Sequence, residues 1–239
     1  MRKRTRTFGG ISAAAVLAAC CFASAASATY HEMKIRAIFE GPSSHTGFIQ
    51  LQMTAAGQNF TAGHVINYYD HTGALVHTSP PLSNVANGAN QSTILIGDTS
   101  TPGNPDLTWG TLRSSITSDV SGGAFCYENI DCVAWGGGWT PSALAQLPSP
   151  ETGPLSGLAP NQVAIRGISR GCATALDDAD DTNNSASDFS FGFFTPRNNS
   201  VTPTETVCPP APTTPVKKCK KKKRRSAEVA KKKKCKKKR

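Results

Sequence analysis

Histidines are the first candidates for metal chemistry in this chain of 239 residues, because four of its five histidines lie between His45 and His77. If residues 70–73 form a hairpin turn, His64 and His77 lie diagonally on one face of the hairpin, about 7–8 Å apart. That spacing leaves a surface metal pair as an alternative to ordinary solvated strand histidines, and we expect the solvated arrangement.

A group of aspartates near the end of the body is the second candidate metal site. Carboxylate oxygens suit a hard cation such as calcium, but the spacing here misses the EF-hand pattern and lacks its turn glycine. We expect a solvated acidic loop with no bound metal or cofactor. The group consists of Asp177, Asp178, Asp180, Asp181 and Asp188.

Cysteines supply the third kind of chemistry. Cys126 and Cys132 flank a polar turn between two strand-like arms, which in an exported chain predicts a structural disulfide across a hairpin. Zinc is the alternative, but no second ligand pair lies nearby. Cys172 and Cys208 are the remaining pair in the body, and we expect them to be joined, although four cysteines allow three connectivities.

Two short stretches are similar to the histidine and serine motifs of trypsin-like proteases. The first is Thr-Ala-Gly-His, which ends at His64, and the second is Ser-Asp-Val-Ser-Gly-Gly, which contains Ser121 and is interrupted by Val120. A catalytic triad needs Ser, His and Asp within hydrogen-bond reach, together with an oxyanion hole. Only 57 residues separate His64 from Ser121, too few for two β-barrels to enclose a triad. We expect no catalytic residue and no enzymatic activity.

Residues 48–53 open the central part of the body. Ile49, Leu51 and Met53 alternate with Gln50 and Gln52, a period of two that predicts a strand with one buried and one solvated face. Similar patterns predict strands at residues 30–39, 65–69, 74–76, 93–96 and 162–166. The sequence therefore predicts an all-β fold.

The order of these motifs resembles the lamin-tail domain family. Residues 48–51, Phe-Ile-Gln-Leu, look like the family's aromatic-aliphatic-Glu-Leu strand, and residues 60–64 look like its Leu-Ser-Gly-Trp step. Residues 70–73 look like its Asp-x-x-Gly turn, and residues 181–189 with 196–199 look like its Asp-Asn-rich closing segment. The resemblance implies an immunoglobulin-like β-sandwich over residues 29–200. Gln50 and His64 depart from the family's usual Glu and Trp.

Residues 1–28 are predicted to be a signal peptide, with a basic start, an Ala-rich apolar stretch and the small-x-small sequence that ends at Ala28. The rival interpretation is lipid anchoring at Cys20, because Leu-Ala-Ala-Cys resembles a bacterial lipobox. Either process places the protein outside the cytoplasm, secreted or at the cell surface.

The body of the chain is acidic, and the segment that follows it is strongly basic. Residues 29–216 contain six basic and fifteen acidic side chains. Residues 201–216 are rich in Pro and Thr and are predicted to be a stiff linker. The last segment, residues 217–239, has sixteen basic side chains against Glu228, and repulsion at this density predicts a disordered tail. The expected anion-binding residues are Lys217, Lys218, Lys220, Lys221, Lys222, Lys223, Arg224, Arg225, Lys231, Lys232, Lys233, Lys234, Lys236, Lys237, Lys238 and Arg239.

Together these features predict a structural or adhesive binding protein of the cell envelope. The tail would attach electrostatically to an anionic cell-wall polymer or lipid surface, while the sandwich would present a binding surface to an unknown protein or glycan. The alternatives are a secreted carbohydrate-binding or enzyme-accessory module, using aromatics such as Tyr68, Tyr69, Trp135 and Trp139, and an extracellular non-specific nucleic-acid binder. The tail lacks aromatics for base stacking, so specific nucleic-acid recognition is not expected.

Overall fold

The computed structural model of this chain describes residues 30–43, 45–117 and 119–209. The predicted signal peptide, Cys20 and all sixteen basic residues of the tail lie outside these ranges. Within them, strands form two sheets and the few helices are short, which confirms the all-β class.

The first sheet has six strands, in the order β10–β9–β1–β2–β5–β6, and only β5 and β6 pair in parallel. Its strands are β1 (Met33–Phe39), β2 (Phe48–Met53), β5 (Thr93–Gly97), β6 (Leu107–Thr108), β9 (Val163–Arg166) and β10 (Phe189–Gly192).

The second sheet has four antiparallel strands, in the order β4–β3–β7–β8. These strands are β3 (Ile66–Asp70), β4 (Leu75–Thr78), β7 (Gly123–Tyr127) and β8 (Asp131–Trp135). The helices are α1 (Leu112–Ile116), α2 (Pro141–Leu144) and α3 (Ser185–Asp188), with one turn of 3-10 helix at Asp178–Asp180.

One hydrophobic core lies between the two sheets. The alternating residues Ile49, Leu51 and Met53 of β2 face it from the first sheet, and Tyr68 and Phe125 face it from the second. Because side chains on a strand alternate between faces, the same alternation that the sequence shows fixes which side of each sheet is inside.

The solvated face predicted for β2 is wrong. Gln50 and Gln52 point away from the core, yet neither is exposed to solvent. The reason is that residues 193–208, here called the C-terminal strap, lie over the outer face of the first sheet. Sequence alternation identified the inner face of β2 correctly but could not show that a distant segment covers the outer one.

The β3–β4 hairpin has the predicted tight turn. One carboxylate oxygen of Asp70 accepts hydrogen bonds from the backbone N–H groups of Thr72 and Ala74, and Gly73 has a φ of 85°. An L-residue with a side chain rarely adopts this φ. The Asp-x-x-Gly sequence therefore specifies the local conformation of the turn.

Helix α2 covers the outer face of the second sheet. The Thr140 side chain caps the helix by accepting a hydrogen bond from the Ala143 N–H, and Pro141 occupies the first turn, an arrangement favoured at helix starts. Leu144 and Leu147 pack against Cys126, Cys132 and neighbouring alanines of β7 and β8. This side of the molecule is closed by apolar packing.

The described residues form one compact unit that extends to Cys208. Glu205 and Thr206, which the sequence places in the linker, hydrogen bond to the body. Among the described residues, no helix has the length and apolar character needed to cross a membrane.

Candidate functional site

The C-terminal strap is the best candidate for a functional element, because it connects the body to the basic tail. Its first part packs on apolar side chains of the outer face. The Phe194 ring lies 6.3 Å from the Phe48 ring, centroid to centroid, and the Arg36 guanidinium lies 5.8 Å above Phe194. Burial lowers the pKa of Arg36 to about 10, so the cation persists at neutral pH.

The middle of the strap is held by hydrogen bonds to strand side chains. The Arg197 N–H donates to Gln50 Oε1 at 2.6 Å, and the Thr93 hydroxyl donates to the Arg197 carbonyl at 2.8 Å. Asn199 donates from Nδ2 to the Thr93 carbonyl at 3.0 Å. Hydrogen bonds in both directions thus hold residues 197–199 of the strap against the outer face of the sheet.

The last part of the strap carries an ion pair. The Glu205 carboxylate pairs with the Arg197 guanidinium and accepts a hydrogen bond from Gln52 Nε2 at 3.1 Å. Burial alone would raise the pKa of Glu205, but the hydrogen bonds and charge of Arg197 lower it below its ordinary value, and the carboxylate is ionised.

A disulfide fixes the end of the strap. Cys172 and Cys208 are bonded, with their Cα atoms 5.6 Å apart, and beside them the Thr206 N–H donates to the Thr174 carbonyl at 3.2 Å. Cys172 is buried and Cys208 is exposed. The predicted pairing is present, and it closes the body immediately before the segment that leads to the tail.

The other predicted disulfide lies across the hairpin. Cys126 and Cys132 face each other in the β7–β8 register and are bonded, with a Cα separation of 4.1 Å. Both are buried beneath Leu144 and Leu147, so this bond supports the second sheet and lies apart from the strap.

A buried arginine joins the two sheets to the segment between β9 and β10. Arg166 is fully buried and donates to both carboxylate oxygens of Asp131, at 2.6 and 2.8 Å. Its guanidinium also pairs with Asp181 at 3.2 Å and Asp188 at 3.5 Å. These carboxylates outweigh the effect of burial and raise the pKa of Arg166, so the cation persists inside the protein.

Sequence reasoning missed this role of Arg166. A signal was available: Ala164 and Arg166 share a face of β9, and a charged side chain on an inward face requires buried partners. The acidic group at residues 177–188 provides part of that partnership.

The carboxylates of the aspartate group form hydrogen bonds and ion pairs with other groups of the protein. Asp177 accepts from the Ala179 N–H and Asp180 from the Ser169 and Arg170 N–H groups, while Asp181 pairs with Lys34 at 2.8 Å. No set of three or more potential metal ligands occurs among residues 30–43, 45–117 and 119–209. These carboxylates position loops and neutralise Arg166.

Three of the histidines contact different partners and do not form one site. His64 pairs with Glu128 at 3.3 Å and stacks on Tyr30, while His77 stacks on Tyr68 across the β3–β4 pair. His71 pairs with Asp119. The protease-like motif residue His64 thus has a carboxylate partner in another loop, and Asp119 of the serine-like motif contacts a different histidine.

Two of the four aromatic residues considered for a glycan-binding platform are buried, and the other two, Tyr69 and Trp139, are half-buried. Tyr68 and Trp135 belong to the core between the sheets. Trp139 is half-buried, and its indole N–H donates to the Trp135 carbonyl at 2.9 Å. These rings pack the fold, and Tyr68 and Trp135 present no open face to a sugar.

Comparison with protein-family models, with curated proteins and with solved structures finds no match. The resemblance to lamin-tail domains therefore stays a prediction from the sequence motifs. The function has to be argued from the charges and contacts of the chain itself.

Proposed function

We propose that this chain is an exported protein of the cell envelope, in which a disulfide-closed β-sandwich is attached by its basic tail to an anionic polymer or lipid surface. The observation that carries the proposal is the division of charge at the end of the strap. The body has an excess of acidic residues, and sixteen basic residues follow within residues 217–239.

Lysine suits this role because its ammonium is a mobile point charge that binds phosphates and carboxylates without strict geometry. Each basic residue near an anionic surface contributes about 1 kcal/mol before screening. The acidic body is repelled by the same surface. The tail would therefore hold the protein while the body stays clear of the surface.

The Cys172–Cys208 disulfide supports this proposal in a second way. It joins the end of the strap to the loop before the 3-10 helix. Tension on the tail would act on a covalent bond, and the hydrogen bonds of the strap would be shielded from it. Two disulfides are also typical of proteins in oxidising compartments outside the cytoplasm.

We further propose that the two sheets form an immunoglobulin-like sandwich of the lamin-tail type. Supporting this, residues 48–51 form most of β2, residues 70–73 form the β3–β4 turn, and Asp188 and Phe189 mark the start of β10. The body would present its binding surface away from the attachment point and has no catalytic role in this proposal.

The test is fractionation of cells that express the full chain or a matched variant with all sixteen tail cations replaced by glutamine. We expect the full chain to remain with the envelope at low salt and to be released at high salt, because exposed charges are screened. The glutamine variant should appear in the medium. If both chains stay bound after the salt wash, the tail does not hold the protein and the proposal is wrong.

A further inference from the structure

The β3–β4 turn carries a histidine whose orientation is fixed by a carboxylate. His71 Nδ1 hydrogen bonds to Asp119 Oδ2, and the backbone N–H of His71 donates to the same oxygen at 3.1 Å. The other carboxylate oxygen accepts from the Ser121 N–H at 2.8 Å. The two bonds from His71 tie the turn to the loop before β7, and the bond from Ser121 fixes the carboxylate within that loop.

The state of the carboxylate determines what the imidazole offers to a ligand. Burial by itself would raise the pKa of Asp119, but hydrogen bonds from His71 and Ser121 lower it below its ordinary value, so the group is ionised. An ionised carboxylate only accepts hydrogen bonds, so a neutral His71 ring places its proton on Nδ1. Nε2 is then an acceptor.

A pocket lies beside this imidazole, between the β3–β4 turn and the first turn of α2, and its volume is about 230 Å³. We call it the His71 pocket. It is lined by His71, Thr72, Gly138, Thr140, Ser142, Ala143 and Gln146.

Glycine at position 138 is required for this arrangement. A Cβ there would lie 3.0 Å from His71 Cδ2 and 2.7 Å from Ser121 Cβ, so a side chain would push against the imidazole. On the opposite wall, Ser142 and Gln146 are exposed, and the hydroxyls of Thr140 and Ser142 lie 3.0 Å apart. The polar atoms are thus arranged on two facing sides.

The lining indicates the class of ligand. It contains one imidazole acceptor, hydroxyls that both donate and accept, and one carboxamide, with no lysine or arginine. An anion would lack a cationic partner, and the Asp119 charge is directed at His71. A metal ion would find one imidazole nitrogen where stable sites have several ligands. A neutral molecule with several hydroxyl groups matches these donors and acceptors.

We propose that the His71 pocket binds a single neutral sugar ring, with His71 Nε2 accepting a hydrogen bond from a sugar hydroxyl. Ser142 and Gln146 contact the same ring from the α2 side. The volume lies below the roughly 300–1,000 Å³ typical of drug-sized ligands, which limits the occupant to one ring. This site is independent of the tail, so it goes beyond the proposed attachment function.

The test is a titration of the full chain, with isotope-labelled histidine rings observed by NMR. The probes are glucose, N-acetylglucosamine and methyl mannoside, with glycerol as a small hydroxylated control and acetate as an anion. We expect at least one sugar to shift the His71 ring signals saturably, with the His77 signals unchanged. Acetate and glycerol should give no saturable shift.

Variants separate the pocket from other sources of a shift. Ser142→Ala, followed through the same His71 signals, should weaken binding several-fold, because it removes an exposed hydroxyl while Thr140 still caps α2. His71→Ala lacks the reporting ring, so its binding is followed on the sugar resonances by saturation-transfer NMR, and it should be abolished. His77→Ala, on the same hairpin, is the matched control and should bind as the parent chain does. The proposal fails if none of the three sugars gives a saturable shift at high millimolar concentration. It also fails if Ser142→Ala and His71→Ala both bind with the parent Kd.

Discussion

The outer face of the six-stranded sheet is covered by the C-terminal strap, whereas the outer face of the four-stranded sheet is covered by helix α2, which begins six residues after β8 ends. Beyond Phe194, which packs on Phe48, the strap is bound through polar groups such as Gln50 and through Glu205. Helix α2 is bound by apolar packing of Leu144 and Leu147. Each side of the molecule also has one disulfide.

This difference shows how sequence separation sets the role of each disulfide. Cys126 and Cys132 are six residues apart and already face each other in a strand pair, whereas Cys172 and Cys208 are 36 residues apart. In the chain-entropy account, a longer closed loop restricts the unfolded chain more. The strap, bound by polar groups, depends more on its disulfide than α2 does.

Removing the strap disulfide should have the largest effect on stability. For Cys172→Ser with Cys208→Ser we expect the free energy of unfolding to fall by about 4 kcal/mol. The amide of Thr206 should also exchange much faster, because the strap end is released. Chemical denaturation and hydrogen exchange measure the two effects, and unchanged exchange at Thr206 would show that hydrogen bonds alone hold the strap.

Removing the hairpin disulfide is the matched experiment on the other side. For Cys126→Ala with Cys132→Ala the same model gives a loss of about 2.4 kcal/mol, and the exchange of Thr206 should stay as in the parent chain. A loss larger than that of the strap variant would reverse the comparison, and would mean that packing around the buried Cys126 outweighs loop entropy.

The inner faces, the hairpins and both disulfides were predictable from the sequence, because each depends on local patterns. Alternation in residues 48–53 gives the inner face, and Asp70 with Gly73 specifies a turn. The covering of Gln50 and Gln52 was not predictable, because their partners in the strap, Arg197 for Gln50 and Glu205 for Gln52, lie about 150 residues away in a segment without periodicity. Nothing local distinguishes such a glutamine from a solvated one.

The candidate site was predictable to a smaller degree. The charge of the tail follows directly from composition, but the pairing of His71 with Asp119 depends on how two loops meet. The sequence directed attention to His64, which lies in a more familiar motif. Loop-to-loop contacts of this kind arise from tertiary packing and leave no periodic signal.

The α2 side should weaken as the pH rises. The backbone N–H of Glu151 donates a hydrogen bond to the Leu144 carbonyl of α2. The buried carboxyl of Glu151 accepts hydrogen bonds from the Ser185 N–H at 2.8 Å and from the Ser185 hydroxyl at 2.7 Å. Burial, opposed by these bonds, raises its pKa to about 8. Because the pKa of Glu151 is higher in the folded than in the unfolded state, the folded state holds the proton more tightly. The resulting contribution to the free energy of unfolding is complete below the unfolded pKa of about 4.3 and is lost as the pH rises towards the folded pKa.

We expect the free energy of unfolding to fall by about 2 kcal/mol between about pH 6 and about pH 7.5. Glu151→Gln should remove most of this slope, since glutamine carries no proton to lose. Glu32→Gln, at an exposed position, is the control and should keep the slope. Denaturation curves across this range provide the measurement, and identical slopes in the Glu151→Gln and parent chains would contradict the assignment.

The attachment of the strap should weaken as the pH falls, and this is the smallest of the four predicted effects. The pKa of Glu205 is lowered in the folded state, so its contribution is present above the unfolded value of about 4.3 and is lost as the pH falls through the folded pKa. Glu205→Gln should reproduce the acid effect at neutral pH. Because the Glu205–Arg197 pair is partly exposed, we expect less than about 1 kcal/mol.

Hydrogen exchange at Thr206 should therefore rise modestly in Glu205→Gln, while global stability barely changes. The Cys172–Cys208 bond remains in this variant, so only the segment between Arg197 and Cys208 should gain freedom. An exchange rate as high as in the strap-disulfide variant would mean that the ion pair, and not the disulfide, holds the strap. Lowering the pH acts on Glu205, and raising the pH acts on Glu151. A pH series can therefore weaken the strap or the packing around α2 while the other stays intact, and it tests whether the two outer faces are closed independently.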